Sequence, residues 1–79
     1  MVAIFTGDAT YIKSDIDEAF DTFVEVYGSK LADEAYNKLK NAPLGFSYRK
    51  NGGPLIKIIS KEDANIIKDK ERSLGRLLE

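Results

Sequence analysis

The sequence predicts a small α+β fold: one or two short N-terminal strands, two consecutive helices or one kinked helix, a β-hairpin, and a C-terminal helix packed on one face of a small antiparallel sheet. Three observations carry that expectation. Apolar residues recur at helical spacing between positions 16 and 27, Asn51-Gly52 separates two strand-like runs, and Ser60 opens a second long amphipathic stretch. With 79 residues, 43% hydrophobic content, 32% charge and a net charge of −1, the chain is expected to fold as one domain, residues 1–79.

Val2 to Phe5 reads as a buried strand, and Thr10 to Lys13 as a second one across a Thr6-Gly7-Asp8 turn; one longer bent strand fits as well. Ser14 is the expected N-cap of the first helix, with Asp17 in the reciprocal capping position and carboxylates where the helix dipole favours them. This helix should run to about Tyr27. Gly28 then ends it and Ser29 caps a second helix to about Lys40, with Leu31, Ala32, Ala35, Tyr36 and Leu39 inward; the alternative is a single helix that tolerates Gly28. Pro43 stops helical structure in either case.

Leu44 to Arg49 alternates, placing Leu44, Phe46 and Tyr48 on one face, and Leu55 to Ile59 is a β-branched run. Between them, Lys50-Asn51-Gly52-Gly53-Pro54 contains the strongest short-range hairpin signal, and Pro54 should begin its strand because it cannot donate to a ladder. Ser60 caps the last helix, whose apolar arc takes in Ala64, Ile66, Ile67, Leu74, Leu77 and Leu78. Lys61, Asn65, Lys68, Arg72 and Arg76 line another arc of that helix.

Several chemistries are excluded by composition. There is no cysteine and no histidine, which removes disulfides, thiolate and imidazole metal sites, and His-activated nucleophiles. No phosphate-loop or dinucleotide pattern accompanies Gly52-Gly53. A helix-turn-helix over residues 15–41 fails on charge, because Asp33 and Glu34 would face the phosphates. Of the four tyrosines, Tyr11, Tyr27, Tyr36 and Tyr48, three fall at positions the periodicity assigns to buried or half-buried faces and read as packing residues with wet hydroxyls, and a non-enzymatic protein without cofactors is expected. The N-terminus lacks the cationic lead and long apolar run of a signal peptide, and no stretch is long enough to span a bilayer, so a soluble, cytoplasmic protein is the default.

The charge layout is more informative than the total. Residues 1–40 hold eight acids and four bases, whereas residues 41–79 hold five acids and eight bases. Residues 14–29 contain five carboxylates and no base; on a helix, Asp17, Glu18, Asp21 and Glu25 fall opposite Ile16, Phe20, Phe23, Val24 and Tyr27. Such a face is either a solvated exterior or a contact surface for something positive. Carboxylates at this spacing without a ligand loop are a poor cation site.

Two functional expectations follow from this layout. The first is a protein–protein binding module, an inhibitor or regulator of the kind that phage and other mobile elements encode, which uses Asp17, Glu18, Asp21 and Glu25 as a nucleic-acid mimic to block a basic surface. The second is a small DNA- or RNA-binding regulator that uses Tyr48, Arg49, Lys50, Asn51, Lys57, Lys68, Arg72 and Arg76. A pI of about 5.4 is low for the second class. A homodimer is compatible with either, because opposite stripes on the outer helices could meet between protomers.

Overall fold

A computed structural model of the protein describes residues 1–78. Eight elements follow one another: β1 (Val2–Phe5), β2 (Thr10–Lys13), α1 (Ile16–Tyr27), α2 (Ser29–Leu39), β3 (Ser47–Arg49), β4 (Leu55–Ile58), α3 (Lys61–Ser73) and β5 (Leu77–Leu78). The strands form one sheet in the order β3-β4-β1-β2-β5. The first four pair antiparallel, as expected, and β5 joins β2 in parallel. The N-terminal segment is therefore a hairpin, not one bent strand: Val2 faces Lys13 and Phe5 faces Thr10, with Thr6 and Ala9 closing the turn through backbone and hydroxyl hydrogen bonds.

The alternation of β1 distributes its side chains to two cores. Val2 and Ile4, with Ile56, point to one side and pack against Ala19 and Phe23 of α1 and Ala32, Ala35 and Leu39 of α2. Ala3, with Ile12 and Ile59, points to the other side and packs against Ala64 of α3. The helices thus lie in two layers with the sheet between them: α1 and α2 on one face, α3 on the other. Opposite charge stripes on α1 and α3 are separated by the sheet and cannot meet within one molecule.

Local chemistry explains most element ends. Asp15, one residue later than expected, is the N-cap of α1 and accepts a hydrogen bond from the Glu18 amide at 2.8 Å. Ser14 and Asp15 are both competent caps; the position three before Glu18 is the one that lets its carboxylate reach that amide. Gly28 separates α1 from α2, and it, not Ser29, occupies the cap position of α2, where no side chain caps the helix. The Asn51-Gly52 turn is as expected: both residues have positive φ (52° and 73°), as a type I′ turn demands, and the Gly53 amide donates to the Lys50 carbonyl at 2.9 Å. Ser60 caps α3 through the Asp63 amide at 3.1 Å.

Two stretches depart from the periodicity. Leu44 does not extend β3; Pro43 to Phe46 is a turn closed by a Phe46 amide to Pro43 carbonyl bond of 3.1 Å, and it leaves Leu44 67% exposed. Gly45 donates to the Ile58 carbonyl and Phe46 accepts from the Ile58 amide, two residues opposite one, which is a β-bulge.

The second departure is larger. The last helix stops at Ser73, and Leu77 and Leu78 leave the helical arc to form β5. The cause is a Schellman turn: Gly75, at φ 73°, donates to Arg72, and Arg76 donates to Glu71. The Arg76 carbonyl then accepts from the Thr10 amide at 2.7 Å, which starts the parallel pairing of Leu77 beside Thr10.

Candidate functional site

The α1 helix buries Ala19, Thr22 and Phe23 and half-buries Ile16, Phe20, Val24, Val26 and Tyr27. That inward arc leaves Asp17, Glu18, Asp21 and Glu25 exposed along the outside, as the sequence predicts. No basic residue lies in the last turn of α1 to neutralise them.

Three ion pairs occur among the described residues: Lys50 with Glu34 at 2.7 Å, Arg72 with Asp69 at 3.3 Å, and Arg76 with Glu71 at 2.9 Å. None of them involves the four carboxylates of α1. The contact made to this face is a hydrogen bond, in which the Tyr36 hydroxyl of α2 donates to Asp17 Oδ1 at 2.7 Å. That bond, followed by the charge of Asp17, raises the Tyr36 pKa and keeps the phenol protonated as a donor.

Around this bond, Phe20 and Tyr36 pack edge to face with ring centroids 5.8 Å apart and planes at 89°. With Asp17 and Asp33 they line a notch of about 330 Å³ between α1 and α2. Tyr36 and Asp33 were not among the residues that the α1 periodicity singles out. They reach the acidic face only because α2 folds back beside α1, an arrangement no local pattern encodes.

The basic set behaves differently. Lys50 is tied to Glu34, whose carboxylate is held below its ordinary pKa by the hydrogen bond from Lys50 and then by its charge. Arg72 is spent on Asp69 within α3. Arg76 does not continue the α3 ridge, because the helix has ended; it turns back to Glu71. Arg49 and Lys57 are exposed and point to the same side of the sheet as Ser47, and Lys68 stands on α3. Tyr48 packs toward the α1–α2 core on the opposite side of that strand, while Asn51 occupies the turn. Arg49 and Lys57 thus share the α3 side of the sheet with Lys68 and Arg72, and Arg76 follows α3, whereas Tyr48 and Lys50 belong to the α1–α2 side and Asn51 to the turn, so the nucleic-acid alternative divides between the two faces of the sheet.

Sequence reasoning missed one internal site. Glu71 is buried, with 7% of its side chain exposed, and accepts hydrogen bonds from the Thr10 hydroxyl and from Arg76. Those two bonds, Thr10 first, hold its carboxyl below the ordinary range. The available signal was spacing: Ala64, Ile67 and Glu71 share the inward side of α3. Phe5, Gly7, Thr10, Glu71 and Arg76 line a small recess there, about 220 Å³.

Comparison with protein families, curated proteins and solved structures finds no match to this chain.

No group of three or more metal-ligating side chains is assembled among the described residues, and no helix among them is long and apolar enough to cross a membrane.

Proposed function

We propose that the protein is a non-enzymatic, cytoplasmic binding module whose α1 face docks on a basic surface of another protein. The concrete form is an inhibitor or regulator of the phage or mobile-element type, which occupies a groove that otherwise takes nucleic-acid phosphates. One observation carries this reading: Asp17, Glu18, Asp21 and Glu25 are exposed on one rigid helix, and none of them forms an ion pair among the described residues. Carboxylates left without internal counterions produce a field that can steer a cationic partner and suppress wrong ones.

The helix is well supported for such a role. Phe23 has no exposed surface, and the whole inward arc of α1 is locked between the sheet and α2. A docking face on a preorganised element loses little conformational entropy on binding.

The test is capture by the tagged protein from its source cells, with and without nuclease, at low and at raised salt. A protein partner retained after nuclease treatment and released by salt supports the proposal. Capture that disappears with nuclease points to nucleic acid and overturns it.

A further inference from the structure

We propose that the notch between α1 and α2 is the seat for a single arginine side chain presented by the basic partner; this rests on the acidic-face reading and adds a position to it. The geometry is specific. Each helix contributes an aspartate and, three residues later, an aromatic ring: Asp17 and Phe20 from α1, Asp33 and Tyr36 from α2. Residues three apart on a helix stand on the same side, so both pairs converge where the helices pack.

The notch opens to solvent, and its volume, about 330 Å³, is enough to receive one side chain. Two half-buried rings, Phe20 and Tyr36, and two exposed carboxylates, Asp17 and Asp33, line it. Aromatic rings next to carboxylates favour a planar, weakly hydrated cation, which can stack on a ring and donate in parallel to a carboxylate at once. A guanidinium meets both requirements, and a compact, strongly hydrated ammonium meets them less well.

The two carboxylates are not equivalent. Asp17 is fixed by the Tyr36 hydroxyl, which engages Oδ1 and leaves Oδ2 to accept from a ligand. Asp33 is exposed and has no ion-pair partner among the described residues. An arginine entering over the rings would meet one prepositioned acceptor and one adaptable one.

The test titrates the whole protein with acetyl-Gly-Arg-Gly-amide and follows it by amide NMR, with the lysine and citrulline peptides in parallel. The arginine peptide is expected to give saturable shifts centred on Asp17, Phe20, Asp33 and Tyr36. The lysine peptide should bind more weakly, and the uncharged citrulline peptide should give no saturation.

Asp33→Asn should weaken the arginine peptide about fivefold, the upper range for a partly exposed ion pair, whereas Asp21→Ser with Glu25→Ser should change it less than twofold. Equal binding of citrulline or lysine, shifts that follow Asp21 and Glu25 instead, or an unchanged Asp33→Asn would overturn the assignment. Failure here is distinguishable from failure of the acidic face. If Asp21→Ser with Glu25→Ser still weakens the captured partner while the peptide does not bind, the face stands and the notch does not.

Discussion

Glu71→Gln isolates the internal site that ties the C-terminal strand to the body of the protein. In the parent, one carboxylate oxygen accepts from the Thr10 hydroxyl and the other from Arg76 at 2.9 Å. Glutamine keeps an oxygen acceptor for Thr10 but turns an NH₂ group toward a guanidinium, donor against donor. A hydrogen bond to a charged group contributes about 1.5–3 kcal/mol. Because the Arg76 side chain is 41% exposed, water can replace part of what it loses, so the cost should lie near the bottom of that range, about 1.5–2 kcal/mol. With a urea slope of about 1 kcal/mol per molar for a chain this small, the unfolding midpoint should fall by about 1.5–2 M.

The pH dependence follows from the direction of the shift. Glu71 has a folded-state pKa below its ordinary 4.5, so its contribution is fully present above that value and is lost as the pH falls through the folded one. Parent and variant should therefore differ by a constant amount at neutral pH and converge in acid. A urea midpoint within about 0.5 M of the parent at pH 7, the size of an ordinary surface substitution, would refute the reasoning.

Two further outcomes test the local geometry. Gly75→Ala meets no neighbouring atom but must hold φ at 73°, so it should cost about 1 kcal/mol and release β5, visible as faster hydrogen exchange of the Thr10 amide. Asp15→Ala should lower stability by about 1 kcal/mol whereas Ser14→Ala stays within about 0.5, measured by thermal unfolding; the reverse order would restore Ser14 as the cap.

How much of this was legible depends on how local each cause is. The Asn51-Gly52 turn and the Ser60 cap are set by adjacent residues, and both were readable from the chain. The α1 stripe was readable because a single period of 3.6 separates its acids from Phe23. Ser14 and Asp15 can both cap and differ by only one residue in where the apolar pattern starts the helix, so the sequence does not separate them.

The end of α3 was not readable in that way. Leu74, Leu77 and Leu78 continue a plausible helical arc, and a two-residue strand is too short to show alternation; what decides is Gly75 together with pairing to β2, remote in sequence. Leu44 and Phe46 leave the alternation for a similar reason: Gly45 is the third position of a turn, which a small residue inside an alternating run does not reveal. The acidic half of the candidate site came from one helix and was visible. Its aromatic and Asp33 half comes from α2, and the Thr10–Glu71 bond spans 61 positions, so neither could be seen without the fold.

The central claim is that the uncompensated face of α1 is a binding surface, and the most direct measurement is the affinity of the captured partner for Asp17→Ser, Asp21→Ser and Glu25→Ser combined. All three residues are exposed, so the fold should persist with an unchanged circular dichroism spectrum. At about 0.2–1 kcal/mol for each exposed charge, the loss should reach about tenfold and should shrink as salt is raised. Binding that stays within twofold of the parent at low salt would contradict the account.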